Sequence, residues 1–312
     1  MYRRNVLILL TLLLFAAASC KKENIRLSVF HAGSLSVPLK EMAAEFQQVH
    51  PGIHVQLEGA GSLTCVRKIT ELHKPCDVLA LADYALIDEL MIPEHADFNI
   101  RFAGNELAIG YAKDSKWDTL LNAGNWPHVL LRENVHYGRS DPDRDPSGYR
   151  TEIMMGMAEK TMGIPGLKQR MLAKDRKFIR PKGTELLPLL ETGAIGFIFH
   201  YRSVLVQHNL GTLRLPDSLN MRDPSLDNWY VSECVEVAGK SPGERIQKCG
   251  EAMVYGITLP KNGKHPEAAN KFLKFVLTRG QQILQKHGQP VLEPEISSRS
   301  LHAPNWFSTL KQ

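Results

Sequence analysis

Two Gly-Ser pairs, Gly33-Ser34 and Gly61-Ser62, each stand between a short apolar run and an amphipathic segment. The run before the first is Ile25–His31, and Leu39, Met42, Ala43 and Phe46 follow on one helical face. The run before the second is Ile53–Leu57, followed at the same spacing by Leu63, Val66, Ile69 and His73. A strand that turns through glycine into a helix gathers free N–H groups and about half a positive charge. Serine adds a hydroxyl donor, so each turn could hold an anion. At the carboxyl ends of neighbouring strands, both could face one crevice. Either serine taken alone would also serve as an ordinary helix cap. A phosphate-binding loop is excluded, because G-x-x-x-x-G-K-[ST] is absent, and no dinucleotide fingerprint occurs.

Asp141–Arg150 (DPDRDPSGYR) is the other stretch dense in chemistry. Asp141, Asp143, Asp145 and Glu152 have the spacing of calcium-loop ligands, but the position that needs a glycine is Pro146, which argues against calcium and leaves a solvated turn. Hydrolytic machinery does not assemble, since neither G-x-S-x-G nor H-E-x-x-H is present. His31 near Ser34, like His200 and His208, reads as a core or rim histidine rather than a base.

The elements that must position these groups alternate. Strands are expected at Ile25–His31, Ile53–Leu57 and Asp77–Ala82, with helices between them and Asp83 capping a helix from Leu86 to Leu90. That β-α-β-α-β order predicts an α/β protein with a parallel sheet between helices. Further strands are expected at Leu107–Tyr111, Val135–Tyr137, Ile195–Phe199 and Val254–Leu259, with helices at Met154–Lys160, Leu186–Glu191 and Pro266–Leu277. No repeat and no linker divides the chain, so two domains would exchange strands rather than follow one another. At 312 residues, with 43% apolar and 23% charged residues, there is material for two cores, and disorder is excluded as the main state.

The N-terminus, MYRRNVLILLTLLLFAAASC, has the charged, apolar and small-residue order of a secretory signal peptide over residues 1–19. Cys20 after Ala17-Ala18-Ser19 resembles a bacterial lipoprotein cleavage site, which implies acylation at Cys20 and a lipid-attached linker over 20–25. Removing Arg3 and Arg4 leaves 36 basic against 33 acidic residues and no basic stripe, so nucleic acid is not an expected partner. Export favours disulfides. Cys234 and Cys249 flank a hairpin-like stretch with Gly239, Pro242 and Gly243, and are the first expected pair. Cys65 with Cys76 is the second candidate pair, the alternative being two buried thiols.

Longer motifs carry a resemblance. His31-Ala-Gly-Ser-Leu-Ser-Val-Pro38, Gly61-Ser62 with Val66–Leu72, Asp77-Val-Leu-Ala80, Asp145-Pro-Ser-Gly-Tyr-Arg150, Tyr201-Arg-Ser203 with Gln207-His-Asn209, and Val254–Thr258 occur in one order. In that order the chain, over about Leu27 to Pro290, resembles the archaeal-type tungstate/molybdate-binding proteins of ABC transporters. The resemblance implies a two-lobed periplasmic-binding-protein type II fold, with residues 26–104 and 254–312 in one lobe and 105–253 in the other. It implies capture of a tetrahedral oxyanion in the cleft, partnership with a permease and an ATPase, an exported lipid-anchored monomer in the cell envelope, no resident cofactor and no enzymatic activity. It maps oxyanion donors onto Gly33, Ser34, Ser62 and Tyr201, with Asp145 bonding the metal centre of the oxyanion. In the segment Arg180-Pro-Lys-Gly-Thr-Glu-Leu186, one family glutamate is Gly183, and Glu185 is the remaining candidate. The expected donors are otherwise neutral, with no arginine assigned to the anion. A sulfate or phosphate receptor on the same fold is the nearest alternative, and a secreted hydrolase or sensor lipoprotein the more distant one.

Overall fold

A computed structural model describes residues 24–113, 119–238 and 243–311. The signal peptide, Cys20 and the hairpin positions Gly239 and Pro242 lie outside the described residues. Among the described residues, no helix is long and apolar enough to cross a membrane.

The apolar runs form two sheets. The first contains β1 (Ile25–Ala32), β2 (Ile53–Ala60), β3 (Val78–Leu81), β4 (Ile100–Gly104), β12 (Val254–Thr258) and β13 (Val291–Ile296), in the order β13-β4-β12-β3-β1-β2. The second contains β5 (Leu107–Tyr111), β6 (Tyr137–Ser140), β7 (Ile179–Arg180), β8 (Phe197–Tyr201) and β9 (Gly211–Arg214), in the order β7-β6-β8-β5-β9. A hairpin of β10 (Cys234–Ala238) and β11 (Arg245–Cys249) stands apart.

The helices used below are α1 (Ser36–Val49), α2 (Ser62–Thr70), α3 (Pro146–Met162), α4 (Arg202–Gln207) and α5 (Pro266–Leu277). In α1 the predicted face of Leu39, Met42, Ala43 and Phe46 is buried, with Phe46 edge-on to Phe272 of α5 at 5.1 Å. In α2, Val66 and Ile69 are buried as expected, but His73 lies past the helix at φ 51°.

Both sheets are mixed, not parallel. β1 pairs in parallel with β2 and β3, as the β-α-β order predicts. β12 runs antiparallel between β3 and β4, because the chain returns from the second sheet and enters the first from its opposite end. Each sheet has its own large core: Leu27, Phe46, Phe102, Tyr255 and Phe272 belong to one, and Trp126, Tyr137, Met154, Phe199 and Tyr230 to the other. Two cores on two sheets make two lobes.

The chain passes between the sheets at Asn105–Glu106 and returns just before Val254. Glu106 is only 1% exposed, and its carboxylate accepts from Arg214 at 3.1 Å through both oxygens. Arg202 lies 3.3 Å from the same group, so the buried charge at the crossing is neutralised where it is formed.

Cys234 and Cys249 face each other across the hairpin, with Cα atoms 3.9 Å apart, and are joined by a disulfide. The second candidate pair is not formed: Cys65 and Cys76 are free, buried thiols. They enter the same apolar cluster, but Cys65 Sγ turns onto the His31 carbonyl at 3.4 Å and Cys76 Sγ onto the Val78 carbonyl at 3.1 Å.

Candidate functional site

Gly33, Ser34 and Leu35 form a tight turn at the end of β1 that leads directly into α1. Gly61 is the cap residue of α2, and Ser62 its first helical residue. The first-turn N–H groups at both places have no intrahelical acceptor, and neither serine satisfies them as a side-chain cap.

The hydroxyls are otherwise engaged. Ser62 Oγ accepts from the Ala82 N–H at 3.2 Å, just past β3. Ser34 Oγ accepts from the Tyr255 hydroxyl at 2.9 Å. Tyr255 OH in turn accepts from Asn105 Nδ2 at 2.8 Å, which fixes the direction of the chain. Asn105 sits at the crossing between lobes, and its amide also donates to Ser203 Oγ in α4 at 2.8 Å. Its Oδ1 accepts from the Glu106 N–H at 3.0 Å, so the amide orientation is settled by the backbone.

The second lobe brings its residues from the carboxyl ends of β6, β7 and β8. Tyr201 closes β8, and its hydroxyl accepts from Arg150 Nη1 at 2.8 Å. Burial holds the phenol well above its ordinary range, while the Arg150 charge pulls the other way; it stays protonated at neutral pH. Ser34, Ser62 and Tyr201 therefore share one arrangement. Each oxygen accepts from a protein donor, and each hydroxyl hydrogen is left to donate elsewhere.

Asp145 caps α3: one carboxylate oxygen accepts from the Ser147 N–H at 2.8 Å, the other from the Gly183 N–H at 2.7 Å. The stretch thus divides: residues 141–145 are the expected turn, half-buried to exposed, and Pro146–Arg150 begin a 17-residue helix. Glu152, the last of the calcium-spaced acids, pairs with Arg139 at 2.8 Å instead. A carboxylate 4 Å from an anion repels each unit of its charge by about 4 kcal/mol at an effective dielectric of 20. The two N–H groups and the helix start disperse part of the Asp145 charge, and each oxygen keeps a free lone pair.

Glu185 is exposed in the turn Gly183–Leu186, and no side-chain partner for it is found among the described residues. Gly183 packs against His200, whose Nε2 would lie 2.6 Å from a Cβ at that position. His200 is 4% exposed, and its Nδ1 accepts from the Tyr201 N–H at 2.7 Å, which places the ring proton on Nε2. The ring fills the space that any side chain at position 183 would need. His31, the other histidine weighed as a base, is buried with Nδ1 on the Ala32 carbonyl at 2.8 Å.

Asn105, Arg150 and Tyr255 are the residues that sequence reasoning missed, whereas His200 is the buried histidine expected. Arg150 and Tyr255 lie inside motifs already singled out, Asp145–Arg150 and Val254–Thr258, but as positions without an assigned role. A concavity of about 350 Å³ lined by Tyr84, Arg101, Glu295 and Ser298 contains none of the donors above.

The model of a family described as bacterial extracellular solute-binding protein matches residues 27–289. A relative from Petrotoga mobilis, named only as an uncharacterized solute-binding protein, is 41% identical over 268 residues, covering 85% of this chain and 84% of its own. A relative from Pyrococcus abyssi, named molybdate/tungstate-binding protein, is 36% identical over 304 residues, covering 88% of this chain and 87% of its own. The solved periplasmic molybdate-binding protein of Azotobacter vinelandii superposes with a TM-score of 0.58 over 84% of this chain and 98% of its own. At 16% identity, that likeness is one of fold. With two lobes, two cores and a crossing between them, and with that match over most of its length, the chain belongs to the bacterial extracellular solute-binding protein family.

Proposed function

We propose that this protein captures a tetrahedral oxyanion, molybdate or tungstate, and delivers it to the permease and ATPase of an ABC importer. The observation that carries the reading is the shared state of Ser34, Ser62 and Tyr201: three hydroxyls fixed by protein donors, with three hydrogens to give. Helix starts at Gly33 and Ser62 add backbone donors to an oxyanion. The names of the Pyrococcus abyssi relative and the Azotobacter vinelandii neighbour support the same ligand class. Asp145 argues against sulfate, which carries no proton to give a carboxylate and whose sulfur accepts no further ligand. Molybdenum and tungsten can accept one. Phosphate, protonated near neutral pH, is the rival that an acceptor carboxylate would suit.

The remaining expectations belong to this reading: an exported chain, lipid-anchored through Cys20, acting as a monomer, without cofactor and without catalysis. Residues 26–104 with 254–312 would form one lobe and 105–253 the other. The test is calorimetric titration of Ser34→Ala, Ser62→Ala and Tyr201→Phe with tungstate. Each removes one hydrogen bond to a charged group, of about 1.5–3 kcal/mol, and is expected to weaken binding by roughly tenfold to 150-fold. If all three bind as tightly as the wild type, the ligand sits elsewhere and the reading fails.

A further inference from the structure

Among the described residues, the enclosed cations sit against close carboxylates, with one exception. Arg139 meets Glu152 at 2.8 Å, Glu106 is held by Arg202 and Arg214, and Glu233 by Lys160 and Lys168 at 2.9 and 2.6 Å. Arg150 is as enclosed, its side chain only 11% exposed, yet the nearest carboxylate is Glu251 at 3.8 Å, itself 59% exposed. Its Nη1 donates to a neutral phenol, Tyr201, and its Nε is buried without a partner. The guanidinium is wedged at 5.4 Å over the Tyr149 ring and 5.9 Å over the Tyr201 ring. An enclosed cation with so weak a counter-charge is costly to fold around, and the cost points to a function.

Its location supplies the function. Arg150 stands directly behind the Tyr201 hydroxyl. Its charge also reaches the Tyr255 phenol, which holds Ser34, and the Glu251 carboxylate. The one poorly matched cation among the described residues therefore lies behind the Tyr201 hydroxyl, and its field extends to the phenol that orients Ser34.

We propose that Arg150 is the fixed counter-charge for the captured oxyanion, giving the site a permanent cation that offsets Asp145. This rests on the oxyanion reading above. A guanidinium is planar and does not lose its proton, so the charge is present at every working pH. It would act through space and through the Tyr201 hydroxyl, whose hydrogen it makes a stronger donor. Because Coulomb attraction does not distinguish the central atom, Arg150 supports affinity for sulfate, molybdate and tungstate alike, and selectivity rests on other residues.

The experiment is a double-mutant cycle on the purified chain, with tungstate and sulfate titrated calorimetrically at two salt concentrations. Arg150→Gln is expected to weaken tungstate by at least about 30-fold and to flatten the salt dependence, while Arg150→Lys keeps the slope and recovers part of the affinity. The decisive arm is Arg150→Gln in a Tyr201→Phe background. A residue that only positions the phenol would have no further effect there; a counter-charge would cost at least about tenfold more. Should Arg150→Gln not fold, Arg150→Met, which keeps the apolar stem and removes the charge, is titrated in both backgrounds in its place. Binding of Arg150→Gln within about threefold of wild type, or no additional loss in the Tyr201→Phe background, overturns the inference while leaving the oxyanion reading intact. Failure of the wild-type chain to bind any oxyanion overturns both.

Discussion

Burial pushes the His200 imidazole down to about 4, with the nearby Asp145 charge opposing the shift and His208 adding to it. An unfolded chain takes up that proton near 6.5. Between those values the unfolded state binds more protons, so the stability held in a neutral His200 is complete above pH 6.5 and drains as pH falls towards 4, by up to about 3 kcal/mol. Urea unfolding at several pH values should show this slope in the wild type and a flatter one in His200→Gln; equal slopes would show that the ring is not held neutral by the fold. The reach of sequence reasoning also shows at this scale. Ser34 and Ser62 were legible because their chemistry is local: a glycine turn between strand and helix. Asn105, Tyr255 and Arg150 were not, because their partners are 51 to 221 residues away along the chain. Glu185 is a candidate only through the resemblance, and no local pattern reveals that the His200 ring fills the space beside Gly183, two residues before it.

The start of α3 is the element on which the second half of the site depends, since it carries Asp145 and Arg150. Gly148, in its first turn, lets the helix approach β6: a Cβ there would stand 2.6 Å from the Ser140 carbonyl oxygen and 2.7 Å from the Asp141 carbonyl carbon. Backbone atoms cannot give way as a flexible side chain can. Gly148→Ala is therefore expected to cost about 1–3 kcal/mol in stability and to weaken tungstate binding by shifting both site residues together. A variant with native unfolding midpoint and native affinity would show that the close approach is unimportant. The sequence places this helix only over Met154–Lys160, because Pro146, Ser147 and Gly148 are poor helix formers and only the Asp145 cap and proline at the first position favour the earlier start. β13 escaped notice for a related reason. Pro294 interrupts its pattern, which an edge strand tolerates, and β13 is the edge of its sheet. The amphipathic faces of α1 and α5 were plain in the sequence because each buries one stripe against a single core.

At the scale of the whole molecule, two mixed sheets are joined through a crossing at which Asn105 and Glu106 are held by side-chain partners. Asn105 ties the hydroxyl of Ser34 in one lobe, through Tyr255, to Ser203 in the other. The donor set is thus continuous with the hinge, and a ligand held by both lobes would report directly on their relative position. The mixed order of the sheets was beyond local reading, since the antiparallel placement of β12 follows from where the chain returns, 150 residues after it left. The central claim is that the cleft between these lobes takes molybdate or tungstate in preference to smaller or protonated oxyanions. Calorimetric titration of the purified wild-type chain with tungstate, molybdate, sulfate and phosphate measures it most directly. One tungstate or molybdate should bind per chain with a Kd below about 1 µM, and sulfate and phosphate at least about 100-fold more weakly. Sulfate or phosphate binding as tightly as tungstate, or no heat with any of the four, would contradict it.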